Sequence, residues 1–338
     1  GDAIMALTLD DLEMIKARIL ETTVLQGVRP LESAHTSVWV ASGLAKISAA
    51  YGAALCERYS GHPSRMMTAL DYCHKPFLQT LPVLLSLKGH HEDAVSVAEV
   101  IVKRSIDNSI LITGDPEGLA AMALKSSSLS CSIVTASFPE RDRRFVNCSS
   151  IFMLSALAYQ VVKQALGKEF FESISEEQLT LSFYKVAEAS HAITEGITIE
   201  DWQNKQLIVL GQGLESELAL PWQSIFAEAG ITTPILLDIK DYTHGDHLAS
   251  VRLNNAIFLV IQQPGLEEIC RIFVSRFSSR YIVKLISLET IGPMRYWENL
   301  FYCCNAADAL TKMLGYGGQR PPKDPIVNGW RGWGCIMP

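Results

Sequence analysis

The stretch Gln206-Leu207-Ile208-Val209-Leu210-Gly211-Gln212-Gly213 decides the fold of this chain. A short aliphatic run meets glycine at once, which reads as a buried strand and not as a helix. A helical pattern then runs from Leu214 to Gly230, with Glu228 near its end. The apolar run Ile235-Leu236-Leu237 is a second strand, and Asp241-Tyr242-Thr243-His244-Gly245-Asp246-His247 is a polar loop beyond it. The unit is strand, tight glycine turn, helix, strand and histidine-bearing loop. Parallel α/β sheets place ligands at such strand ends, beside helix N-termini.

The same order recurs on both sides. Upstream, Ser37-Val38-Trp39-Val40-Ala41 reads as a strand, Ser42-Gly43-Leu44-Ala45 as a turn, and Ile47 to Tyr59 as a helix of small residues. Ser109 to Thr113 is a strand, Gly114 to Gly118 a turn, Leu119 to Lys125 a helix, and Cys131 to Thr135 a further strand. A helix from about Ser150 to Leu166 closes that block. Downstream, Ile257 to Ile261 and Tyr281 to Leu285 are strands. The polar segment Gly167 to Gln178 separates the two blocks. The expected architecture is α/β: two tandem doubly wound parallel-sheet domains, αβα sandwiches, over residues 31–170 and 179–315. An N-terminal helix lies within residues 1–30, capped by Thr8 and Asp11 and stopped by Pro30. Residues 316–338 are rich in Gly and Pro and read as an irregular tail, whose Trp330 and Trp333 are suited to docking on a surface.

Composition excludes several classes. Of 338 residues, 48% are hydrophobic and 19% charged, so a full core is available and disorder is not expected. The formal net charge of −7 leaves no dominant basic face, which argues against nucleic acid. No apolar run reaches the length of a membrane span, and no secretion signal is visible. Eight cysteines occur without a CxxC pair, as expected of free thiols in a reducing cytoplasm. The terminal Cys335-Ile336-Met337-Pro338 is not a usual prenylation box.

Gly211-Gln212-Gly213, Glu228 and His244-Gly245 together carry a resemblance. The 206–263 stretch is similar to the SIS (sugar isomerase) domain, in the tandem form found in the isomerase half of glucosamine-6-phosphate synthase. In that family a strand runs into Gly-x-Gly, and a helix ending in a catalytic glutamate follows. A His-Gly motif lies sixteen residues beyond that glutamate, the spacing of Glu228 and His244 here. Asp241 takes the acidic position three before the histidine. The loop 241–247 resembles the Asn-Phe-x-His-Gly-Arg-His motif of one SIS sub-group. Val146-Asn147-Cys148-Ser149-Ser150 and Asp324-Pro325 are similar to two further stretches of that sub-group.

The resemblance implies a sugar or sugar-phosphate ligand, two copies of the chain sharing sites, and catalysis without a cofactor. It places Ser42 and Gly43 in the first binding turn and Gly211, Gln212 and Gly213 in another. It sets Thr113 and Gly114 in the family's Ser/Thr-rich phosphate loop. That loop reads Thr113-Gly114-Asp115-Pro116-Glu117-Gly118 here, with one hydroxyl and two carboxylates that repel a phosphate. Ile225 stands where the synthase has a lysine.

Aldose–ketose isomerisation needs a base to move a proton between C2 and C1, and a group to open the sugar ring. The resemblance makes Glu228 the base and His244 the ring-opening group. Asp241 is expected to orient an imidazole, and His247 to assist or bind a hydroxyl. The plainer alternative is an ordinary helix-end glutamate and a solvated loop. His244-x-x-His247 has no evident third ligand, so no metal is expected. Gly211-Gln212-Gly213 lacks the third glycine of a dinucleotide fingerprint. His90-His91 reads as a solvated surface loop and Cys303-Cys304 as core. Arg141, Arg143 and Arg144 are a solvated loop or a substitute anion site, and Lys323 lies in the tail. A second reading keeps the fold and drops the chemistry, leaving a sugar-sensing or assembly module.

Overall fold

The computed structural model describes residues 7–21, 25–75, 80–137, 146, 148–167, 171–212, 216–316, 324–331 and 333–335. In chain order the elements are α1 (Leu9–Ile19), α2 (Pro30–Ser33), β1 (Ser37–Ala41), α3 (Ala45–Ser60), β2 (Ser64–Thr68), α4 (Ala69–His74), β3 (Leu81–Ser86) and α5 (Glu92–Lys103). Then come β4 (Ser109–Thr113), α6 (Leu119–Lys125), β5 (Cys131–Thr135), α7 (Cys148–Leu166), α8 (Glu176–Ala189), α9 (His191–Thr194) and α10 (Ile199–Asn204). The last group is β6 (Gln206–Gly211), α11 (Ser216–Glu228), β7 (Ile235–Asp238), a 3₁₀ turn (Asp241–His244), α12 (His247–Leu253), β8 (Ala256–Gln262), α13 (Glu267–Phe277), β9 (Ile282–Ser287), α14 (Pro293–Met313) and α15 (Pro325–Arg331).

The chain forms two compact units that are discontinuous in sequence. One, here the N-terminal unit, holds Glu13–Asp142, Ser149–Ser173 and Pro321–Pro338; the other holds Gly1–Leu12, Arg143–Cys148 and Ile174–Arg320. Each has one parallel sheet. Strand order is β2-β1-β3-β4-β5 in the N-terminal unit and β7-β6-β8-β9 in the C-terminal unit. Right-handed crossovers with this reversal of order put helices on both faces of each sheet. Strand alternation confirms it in β1. Val38 and Val40 pack with Val97, Ile101 and Leu124 of α5 and α6. Trp39, between them, meets Gly52 of α3, where an added Cβ would fall 2.2 Å from the indole.

Two strands escape the sequence reading. β3 contains Pro82, paired in register with Val38 of β1, and a proline inside a central strand argues against that assignment. β2 is an edge strand, Ser-Arg-Met-Met-Thr, with Arg65 and Thr68 exposed and no aliphatic run. The other strands fall where periodicity puts them. The expected N-terminal cap is present: Thr8 Oγ1 accepts the Asp11 N–H at 3.2 Å, and Asp11 Oδ2 accepts the Thr8 N–H at 3.0 Å.

The tail corrects an expectation of irregularity. Asp324 Oδ1 accepts the Ile326 N–H at 2.8 Å and starts α15, with Pro325 at its first position. Beyond α15 the chain anchors within the N-terminal unit. Cys335 is buried in that unit's core; its N–H donates to Ser96 Oγ at 3.0 Å, and its carbonyl oxygen lies 2.9 Å from His74 Nε2. Trp330 and Trp333 remain exposed.

In the C-terminal unit, Ile208, Leu210, Phe258 and Val260 pack with Tyr242, Cys270 and Phe273. Helices α11 and α14 are tied by a buried polar bridge. The Trp222 indole N–H donates to Asn299 Oδ1 at 2.9 Å, and Asn299 Nδ2 donates to the Leu218 carbonyl at 2.8 Å. Removing Asn299 leaves two buried groups unsatisfied, at a cost of about 1–3 kcal/mol each. Among the described residues no helix is long and apolar enough to cross a membrane.

Candidate functional site

In the N-terminal unit strand order reverses between β1 and β3, so the loops after these two strands diverge and leave a crevice at their carboxyl ends. The loop after β1 is Ser42-Gly43-Leu44. Gly43 sits at φ +60°, a left-handed conformation that favours glycine, and α3 starts directly behind it. The loop after β3 is Leu87-Lys88-Gly89-His90-His91, which leads into α5. His91 caps α5, its Nδ1 accepting the Asp93 N–H at 3.3 Å. Two helices of sixteen and twelve residues therefore begin at the reversal point, with the positive ends of their dipoles at that edge of the sheet.

The loop expected to take a phosphate lies one strand further from this reversal. Thr113 and Gly114 follow β4, which does not neighbour β1. The segment after β3, read from sequence as a solvated loop, is the one that lies beside β1. Thr113 is fully buried, and its hydroxyl is engaged in the framework: it lies 3.4 Å from the Leu87 carbonyl and accepts the Asp115 N–H at 3.2 Å. Gly114 donates its N–H to the Leu87 carbonyl at 2.8 Å. Both residues hold the loop after β3 in position.

The two loops are joined closely. Ala120 N–H donates to the Gly89 carbonyl at 2.9 Å. Gly118 has no room for a side chain, since a Cβ there would lie 2.2 Å from the Lys88 carbonyl oxygen. Across this seam His90 Nε2 lies 3.1 Å from Asp115 Oδ2. The Glu117 N–H, and then His90, hold the Asp115 carboxyl below its ordinary range. Glu117 in turn pairs with Lys125 at 2.7 Å. The two carboxylates expected to repel a phosphate thus each have a partner in their own unit. Arg331 of α15 brings its Nε to 3.3 Å from His91 Nε2.

In the C-terminal unit the reversal lies between β6 and β8. Here Arg295, at the start of α14, fills the polar positions from within. Its Nη1 donates to the buried Gln263 just past β8 at 2.5 Å, and its Nη2 lies 3.7 Å from Glu217 of α11. Gly211 ends β6, its carbonyl accepting the Ile239 N–H at 2.9 Å, and Gln212 is exposed. Gly213 lies outside the described residues, as do Arg141, Arg143, Arg144, Asn147 and Lys323.

Tyr242 holds the histidine loop to the core. It is fully buried among Phe258, Phe273 and Phe277, and burial pushes its phenol up. Its neighbours Asp241, Thr243, His244, Gly245 and Asp246 are left exposed. Asp238 Oδ1 accepts the N–H groups of Lys240 and Asp241 at 2.7 and 2.9 Å and sets the turn. The orienting contact expected of Asp241 is not formed: among the described contacts no hydrogen bond joins it to His244 or His247. His247 is half-buried, and its Nδ1 has no partner among the described residues. Gly245 has φ 161°, extended backbone open to any residue, so the turn does not itself require glycine.

Glu228 and His244 are not brought together within one chain. Glu228 is the exposed last residue of α11, which runs antiparallel to β6 and ends at the amino edge of the sheet. Gly230 closes that end, with Ile231 N–H donating to the Phe226 carbonyl at 3.0 Å. His244 lies past the carboxyl end of β7, at the other edge. A helix of thirteen residues spans roughly 20 Å, far beyond a proton-transfer contact. Ile225, where the synthase has a lysine, is buried core. Among the described residues no cluster of His, Cys, Asp and Glu is arranged to hold a metal ion.

No protein-family profile matches the chain, and no curated protein matches it in sequence. Solved structures do match in fold. Glucosamine-6-phosphate deaminase from Thermotoga maritima superposes with a TM-score of 0.66 at 17% identity, over 94% of this chain and 95% of the other. The C-terminal domain of glucosamine-fructose-6-phosphate aminotransferase from Francisella tularensis gives 0.65 at 14% identity, over 94% and 96%. The chain has the SIS fold.

Proposed function

We propose that this protein binds a sugar derivative, a hexose or hexosamine phosphate foremost, and moves a proton between C1 and C2 as an aldose–ketose isomerase does. The observation that carries the proposal is the reversal point of the N-terminal unit, with two long helices starting beside Gly43 and His91 in a fold shared with enzymes of phosphorylated aminosugars. Ser42, Gly43 and the loop after β3 are the proposed ligand contacts. Lys88 of that loop supplies a cationic donor in place of the expected hydroxyls. Glu228 is the proposed base and His244 a proposed ring-opening group. Their separation within a chain supports a site completed by a second copy, so that the glutamate of one chain works with the histidine of another.

Substitution tests this reading. Glu228→Gln should lower kcat at least about 100-fold while leaving ligand affinity within about tenfold, or about 1.4 kcal/mol. Equal turnover by both forms removes Glu228 from the chemistry. A second reading, a module that binds sugar without turnover, is favoured by the exposure of Glu228 and of Asp241 within one chain. It requires binding in both forms and turnover in neither.

A further inference from the structure

We propose that His90, positioned by Asp115, is a catalytic proton-transfer residue that opens the sugar ring. This rests on the isomerase reading above and adds to it a residue that the loop after β3 supplies within a single chain.

Three observations carry the inference. The first is place: His90 sits in the loop after β3, beside the point where strand order reverses. The second is rigidity. Gly89 turns this loop at φ +66°, its N–H donates to Ser86 Oγ at 3.1 Å, and its carbonyl receives the Ala120 N–H. Gly118 lets the neighbouring loop approach until no side chain fits between them. The third is the contact itself. Asp115 Oδ1 accepts the Glu117 N–H at 3.0 Å, which leaves Oδ2 to meet His90 Nε2 at 3.1 Å.

An ionised carboxylate can only accept, so Nε2 of a neutral His90 carries the proton. Nδ1 is then left with a lone pair, on a side chain that is 51% exposed. A base whose second nitrogen is held by a third group is the arrangement that proton-transfer histidines need. A solvated histidine would lack a fixed tautomer.

The step balances within the sugar and the ring. Nδ1 takes the proton of the anomeric hydroxyl as the C1–O5 bond breaks and the carbonyl forms. The ring oxygen keeps the bonding electron pair and receives a proton from the imidazolium. No oxidant, reductant or co-reactant enters. Asp115 acts through its contact with His90 and is a positioning residue.

The experiment follows deuterium uptake from D₂O into glucose, fructose and glucosamine 6-phosphates and their neutral sugars. It compares the full-length wild type with His90→Ala, Asp115→Asn and His244→Ala. His90→Ala should lose at least about 100-fold in kcat with KM within about threefold, and free imidazole should restore part of the rate. Asp115→Asn should lower kcat less, while nitrogen NMR of the imidazole shows His90 no longer held as the Nε2–H tautomer. A wild type that takes up deuterium beside a His90→Ala variant within about threefold of it overturns the role of His90 and leaves the isomerase reading standing. So does a His90→Ala loss that imidazole cannot restore, coupled with an unchanged tautomer in Asp115→Asn. A wild type that takes up no deuterium from any of these sugars overturns the isomerase reading, and the role of His90 with it.

Discussion

Gly118 shows how much a single position can decide. Its missing side chain lets the loop after β4 close on the Lys88 carbonyl, and that closure fixes the loop carrying His90. A methyl group has nowhere to go, because the obstructing atom is backbone. Gly118→Ala should cost about 1–3 kcal/mol, read as a lower urea midpoint at unchanged slope. An unchanged midpoint would mean that the loops are not packed against each other. Gly43 is the contrast: open space surrounds it, and only its left-handed backbone argues for glycine. The sequence singles out Glu228, His244 and Gly43 as candidates through their spacing and turn chemistry. His90 is not singled out, because a His-His pair after Lys-Gly carries no periodicity. What marks it is a partner 25 residues away on the next loop. Thr113 is the opposite case: its type suggests a ligand contact, and in the fold it is buried with its hydroxyl accepting the Asp115 N–H.

The elements that sequence revealed are those whose packing is written in aliphatic runs. β1, β4, β6 and β8 are such runs. β3 is hidden by Pro82, and β2 by its exposed edge position. With β3 hidden, the sequence offers only the loop after β4 as a phosphate loop, one strand away from the reversal of strand order. The tail was hidden differently. Gly and Pro suggest irregular chain, yet Asp324 and Pro325 start a helix, and Cys335 docks in a core that only the folded unit creates. Gly334 lies where a Cβ would fall 2.7 Å from Ser96 Oγ, the acceptor that holds the Cys335 N–H. Gly334→Ala should therefore weaken docking by about 1 kcal/mol and raise trypsin cutting after Arg331 about fivefold. Equal cutting rates would show that the tail is held by something other than this contact.

For the molecule as a whole, the decisive feature is distance. Glu228 and His244 occupy opposite edges of the β6–α11–β7 unit, so one chain cannot use both on one sugar through that unit alone. If two copies share sites, a Glu228→Gln chain mixed with a His244→Ala chain regains activity that neither has alone. Random pairing of equal amounts gives about a quarter of the wild-type rate, from one intact site in half of the dimers. A mixture as inactive as its parents would sink the shared-site arrangement. The separation of Glu228 from His244 is not visible in the linear sequence, where sixteen residues look like proximity.

The central claim is that the chain binds a sugar derivative, and thermal unfolding of the purified protein with a panel of sugars tests it most directly. Hexose, hexosamine and pentose phosphates are set beside their neutral counterparts. A ligand at 100 times its Kd adds about 2.7 kcal/mol to the stability of the form that binds it. A domain of this size then melts several degrees higher, on the order of 5 °C. The account predicts such a rise with at least one hexose or hexosamine phosphate, reduced when Gly43 is replaced by valine. No rise with any sugar, phosphorylated or neutral, would contradict it.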